Sequence, residues 1–173
     1  MDRDIHARNA QLRAIEVYNK RPQLARACTD GTAEVCDGLG CNYMEGDYKQ
    51  CIDMPVPIGG TGEAPTPGFF GRAAISGCIA IGIKMMATRE NIAVDRIRVR
   101  IAQEWDNRGV LAIPGADTIA RQTSIVIEFL SHEDDETLNS LVTQALEFDP
   151  WFLAYRDGQS VQVSVQVLEG MEQ

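Results

Sequence analysis

An α+β fold is what this sequence predicts: an antiparallel sheet with a buried central helix and a second helix on the same face. Three observations carry that prediction. From Ala73 to Ala87 every residue is apolar or small except Ser76 and Lys84. A helix that is apolar nearly all round belongs in a core, so the rest of the chain is expected to wrap it. Residues 95–106, 122–130 and 161–167 alternate apolar and polar side chains with the period of two of a half-buried strand. These elements run helix, three or so strands, buried helix, two strands, helix, strand, which is not the alternation of a βαβ fold.

Taken in order, residues 4–20 read as a first helix, with Ile5, Leu12, Ile15 and Tyr18 as a partial apolar stripe and Pro22 as its stop. Short strands are expected at 24–29, 33–36 and 48–53, with a further piece at 42–45, because Asp30-Gly31, Asp37-Gly38 and Gly46-Asp47 punctuate the region. Residues 54–67 hold four prolines and three glycines and are a stiff loop. Its Gly59-Gly60-Thr61-Gly62 lacks the spacing and the lysine of a phosphate-binding loop, so it reads as a turn of closely packed backbone. After the central helix, Ile97, Val99 and Ile101 face one way and Arg96, Arg98 and Arg100 the other, where acids such as Glu128 on the next strand can balance them. Residues 131–136, Ser-His-Glu-Asp-Asp-Glu, place negative charge at the start of another helix, which Pro150 breaks or kinks. Val161, Val163, Val165 and Val167 mark the clearest strand in the chain.

The 173 residues, 45% hydrophobic and 24% charged, suit one soluble domain with a proper core. A net charge of −9, from 25 acidic and 16 basic residues, argues against nucleic acid or an anionic membrane as partner. The charged start, Met1-Asp2-Arg3-Asp4, is not a signal peptide, so a reducing cytoplasm is expected, where five cysteines stay free or serve chemistry. The apolar run is shorter than the roughly 18–20 residues of a membrane span, so it reads as a core helix. Only two histidines, His6 and His132, are present, and the cysteine spacings fit no zinc pattern, so neither metal nor cofactor is expected.

Cys78 is the one thiol in the central helix. As a thiolate it would be a nucleophile; as a thiol among Ala74, Ile75, Ile81 and Gly82 it is a small hydrophobe filling a tight spot. Arg72 is a helical candidate for a cation that lowers its pKa. Cys28, Cys36, Cys41 and Cys51 either pack strands and loops or include a thiol that resolves an oxidised Cys78.

Ile52-Asp53-Met54-Pro55, Gly59-Gly60-Thr61, Pro65-Thr66-Pro67 and Ala73-Ala74-Ile75-Ser76-Gly77-Cys78 together resemble the OsmC/Ohr family of hydroperoxide-resistance proteins, and the likeness extends over about 24–168. The helix ending at Arg21-Pro22 resembles the N-terminal extension of one subgroup, which divides the chain into an extension, 1–22, and a single OsmC-like domain, 23–173. The resemblance implies an intertwined homodimer with sites at its interface. It also implies thiol-dependent reduction of organic hydroperoxides, in which one cysteine attacks the O–O bond and a second condenses with the resulting sulfenic acid. Cys78 matches the attacking position.

Elsewhere the chain departs from the family pattern. The Cys-Pro of the second helix is Asp149-Pro150 here, so a carboxylate replaces the resolving thiol and disfavours a thiolate beside it. Asn-Pro-Glu-Glu is Thr66-Pro67-Gly68-Phe69, which removes the acid that orients the family's activating arginine; Arg26 is the candidate for that arginine. Three functions fit: a one-cysteine thiol peroxidase, a family member that binds a small apolar ligand at the dimer interface, or a dimeric partner-binding protein with Cys78 as packing. Phe69, Phe70, Trp151 and Phe152 suit an apolar pocket, open or filled.

Overall fold

A computed structural model describes residues 3–167. Helix α1 (Arg3–Lys20) and a single 3₁₀ turn (Pro22–Ala25) lead to strands β1 (Thr32–Val35), β2 (Cys41–Glu45) and β3 (Tyr48–Ile52). A second 3₁₀ turn (Val56–Ile58) precedes the central helix α2 (Pro67–Glu90). Strands β4 (Val94–Glu104) and β5 (Gln122–Ser131) and helices α3 (Asp135–Glu147) and α4 (Pro150–Arg156) complete the fold. All strand pairs are antiparallel, and they fall into two sheets, β1-β2-β3 and β4-β5.

Helix α2 is the hub, in contact with α1, β4, α3 and α4. Thr66 caps its start by accepting from the Phe69 amide, and Pro67 occupies the first turn, where no N–H is needed. Asn91 ends it in the left-handed region. Ile75, Ile79, Ile83 and Ala87, four residues apart, form one buried line that meets Val94 of β4 and Leu141 and Ala145 of α3. In the β4–β5 register Ile97 faces Phe129, Val99 faces Ile127 and Ile101 faces Ile125, so the apolar row predicted for this strand packs onto that core. On the other face Glu128 accepts from Arg100 at 3.0 Å and lies 3.8 Å from Arg98. Lys84, the one charge within the apolar run of α2, donates to Asp4 of α1 and to the Val94 carbonyl, tying three elements together.

Three expectations are corrected. Residues 24–29 are not a strand: Pro22 starts a 3₁₀ turn, and the chain from Arg26 runs unpaired to Thr32. Residues 161–167 form no strand either, and their four valines are 76–90% exposed. A strand exists only where a neighbouring edge takes up its backbone groups, and among the described residues of one protomer none does. Helix α2 is not wrapped on all sides, since Ile81 is 63% exposed and Phe69 and Met85 are also open. By length and composition it could cross a membrane, but one face of it is the core of the domain. Positions 1–2 and 168–173 of the predicted extension and domain lie outside the described residues.

Candidate functional site

Cys78 sits about three turns inside α2, beyond the reach of that helix's own amino-terminal dipole. A different helix end serves it. Asp149 caps α4 by accepting from the Phe152 amide at 2.7 Å, and Pro150 follows at the first helical position. This places the Trp151 N–H toward the Cys78 sulfur and the Asp149 carboxylate within hydrogen-bonding reach of the same thiol. Gly82, one turn on from Cys78, makes the approach possible: a Cβ there would meet Asp149 Oδ2 at 3.4 Å. Gly71 plays the same part for the Tyr155 hydroxyl, which a Cβ would meet at 2.9 Å. Two glycines of α2 thus let α4 lie close against it.

The thiol is half-buried and Asp149 is 4% exposed. Burial raises the Cys78 pKa, the Trp151 amide partly opposes this, and the charge and hydrogen bond of Asp149 raise it further. The net direction is upward, which favours the thiol over the thiolate at rest. A cavity of about 260 Å³ opens on it, with Gly82, Met85, Phe148 and Asp149 in its wall and Arg89 in its lining. Gln11 of α1 accepts from Arg89 Nη1 at 2.8 Å, and the Arg89 carbonyl accepts from Arg8.

Of the residues singled out from sequence, the structure brings Cys78 and Asp149 together. Arg26 does not join them in the protomer; it is exposed in the unpaired segment after the first 3₁₀ turn. Arg72 lies over Gly68 on another side of α2 and lines a different cavity. Cys28, Cys36, Cys41 and Cys51 are free and line no part of the Cys78 cavity. On the β2–β3 ladder Asn42 is opposite Cys51 and Cys41 is opposite Ile52, which puts Cys41 and Cys51 on opposite faces of their sheet. Among the described residues no cluster of three or more His, Cys, Asp or Glu could hold a metal.

The aspartate of the Asp-x-Pro stretch has a structural task. Asp53 is buried and accepts from the amides of Met54, Thr61 and Glu63 and from the Thr61 hydroxyl, folding the proline-rich loop around one carboxylate. Gly60 backs onto the Met54 carbonyl, where any Cβ would collide, so the Gly-Gly pair is the close-packed turn the sequence suggests. Sequence reasoning missed Arg89 and the Trp151 amide. The first had a signal, since Cys78, Gly82, Met85 and Arg89 recur at the three- and four-residue spacings of one helix face. The second had none, because it depends on how α4 docks.

A family model described as OsmC-like protein matches residues 60–164. No match is found among curated proteins. Among solved structures, an OsmC-like protein from Mycoplasma pneumoniae superposes with a TM-score of 0.65 at 11% identity, over 75% of this chain and 88% of that one. An organic hydroperoxide resistance protein OsmC from Legionella pneumophila gives 0.54 at 19% identity, over 75% and 90%. At these identities the structures show a shared fold, and the family match extends over more than half of the sequence. The chain belongs to the OsmC-like protein family.

Proposed function

We propose that this protein is a one-cysteine thiol peroxidase that reduces organic hydroperoxides in defence against oxidative stress, working as a homodimer. The observation that carries this reading is the setting of Cys78: a half-buried thiol that lines a cavity together with the buried acid Asp149, at the amino end of α4. The thiol proton passes to Asp149, and the Trp151 amide stabilises the charge that develops on sulfur. The sulfur attacks the terminal oxygen of the hydroperoxide and the O–O bond breaks. The leaving alkoxide takes the proton from Asp149, giving an alcohol and a Cys78 sulfenic acid. With no second cysteine in the cavity, two external thiols reduce the sulfenic acid, releasing water and a disulfide.

The homodimer is supported by the apolar surface that one protomer leaves in water: Phe69, Ile81 and Met85 on α2 and the four valines of 161–167. One observation favours a second reading, a family member that binds a small apolar ligand without reducing it. The Cys78 pKa is raised, whereas a dedicated peroxidatic cysteine works as thiolate.

Reduced protein treated with tert-butyl hydroperoxide, followed by intact mass and thiol mapping, separates the two. Trapping of a sulfenic acid on Cys78, absent in Cys78→Ser, is the expected result. A Cys78 thiol left intact by a large excess of peroxide would leave the ligand-binding reading.

A further inference from the structure

A cavity of about 650 Å³, larger than the one at Cys78, is formed by other elements. It lies at the amino end of α2, between the proline-rich loop and the connection from β4 to β5. Both walls are pinned by carboxylates. Asp53 gathers the loop around itself through four hydrogen bonds, and Asp106 accepts from the Arg108 amide and guanidinium to hold the β4–β5 connection. The lining is mostly apolar, with Pro55 and Ile58 on one side and Trp105, Val110 and Leu111 on the other. Trp105, Val110 and Leu111 are 49–63% exposed, so the cavity is a standing apolar surface in contact with water.

Two cations line it, and they differ in state. Arg108 is engaged by Asp106. Arg72 lies over Gly68, where even a Cβ would come within 3.1 Å of Nη1, and among the described residues its guanidinium has no acid and no hydrogen-bond acceptor. A half-buried guanidinium beside apolar walls is a favourable place for a planar anion, which it can hold through two parallel hydrogen bonds. The volume lies within the range of small-molecule sites.

We infer that this cavity binds a small amphipathic carboxylate, with the carboxylate on Arg72 and the apolar body against Trp105, Val110 and Leu111. The site is separate from Cys78: Arg72 and Gly68 are on one side of α2, while Cys78, Gly82 and Met85 are on another. Its occupant need not react.

Calorimetric titration of the full chain with octanoate tests this, with octan-1-ol as the uncharged probe and Trp105 fluorescence to locate the ligand. Octanoate is expected to bind and to perturb Trp105, octanol to bind at least tenfold more weakly, and Cys78→Ser to leave octanoate affinity unchanged. Arg72→Gln should weaken octanoate by tenfold or more while leaving octanol alone. Should Arg72→Gln melt early, Val110→Asp on the exposed opposite wall provides the alternative, since a like charge there should also abolish octanoate binding. The inference is overturned if octanoate does not bind, if octanol binds as well, or if folded Arg72→Gln binds octanoate like the wild type.

Discussion

Replacing Asp149 separates its two tasks. Asparagine caps a helix as well as aspartate does but carries no charge, so Asp149→Asn should keep α4 in place while removing one cause of the raised Cys78 pKa. The thiolate titration, followed by ultraviolet absorbance, is expected to move to lower pH than in the wild type. Alkylation of Cys78 by iodoacetamide should rise at neutral pH accordingly. Hydroperoxide turnover should nevertheless fall if Asp149 carries the proton to the leaving alkoxide, a divergence that simple removal of a repulsive charge would not give. Asp149→Ala also loses the cap and should cost about 0.5–2 kcal/mol of stability, measured by urea denaturation. Asp53 is a different case. The Thr61 hydroxyl, followed by the Met54 amide, holds its carboxyl at about 2, against burial and with help from the Glu63 and Thr61 amides, instead of the ordinary 3.8. A folded pKa below the unfolded one adds stability that is complete above the unfolded value and is lost as pH falls through the folded one. Asp53→Asn should therefore flatten the fall in denaturation midpoint between the ordinary 3.8 and about 2. Asp106, also held at about 2, and Asp134 and Asp157, both lowered as well, keep their share of that acid limb in both proteins. The role of Asp53 as an organiser of the loop was not legible in sequence, since its partners Thr61 and Glu63 approach it only when the loop closes.

Helix α2 presents two kinds of apolar residue, and substitutions should tell them apart. Ile83 is fully buried between β4 and α3, so Ile83→Ala should lower stability by about 2–5 kcal/mol in chemical denaturation. Ile81 is largely exposed, and Ile81→Ala should cost the isolated fold little while weakening self-association. The sequence identified the helix because its apolar composition and the proline-rich loop before it agree there, while its caps at Thr66 and Asn91 came only with the structure. It could not say which of the apolar faces a single protomer buries, because nearly every face of the run is apolar and periodicity then carries no direction. The paired strands at 95–106 and 122–130 were readable for the opposite reason, since strict alternation defines an inner and an outer row.

The alternating valines of 161–167 have a strand's pattern and no strand partner among the described residues of the protomer. An exposed row of β-branched residues of this kind seeks a sheet edge, and the three-stranded sheet, whose residues are almost all exposed, offers edges of its own. Light scattering should therefore give a dimer in solution. Replacing Val163 and Val165 together by lysine should shift the equilibrium toward monomer without unfolding the core, which those residues do not touch. A wild-type protein that remains monomeric across concentration would remove the homodimer from the functional reading.

By itself the sequence determined the α+β class, the central helix with its thiol, the paired strands after it and the family to which the chain belongs. Those features are local: they follow from side-chain periodicity, proline placement and contiguous motif residues. Only the tertiary structure decided that Asp149 and the Trp151 amide meet Cys78, that Arg26 does not join them in the protomer, that Arg89 does line the cavity, and that Arg72 faces a larger one. Each of these depends on how separate elements dock, and docking here is set by the absence of side chains at Gly71 and Gly82, by one buried carboxylate cap, and by the line of isoleucines that fixes the rotation of α2.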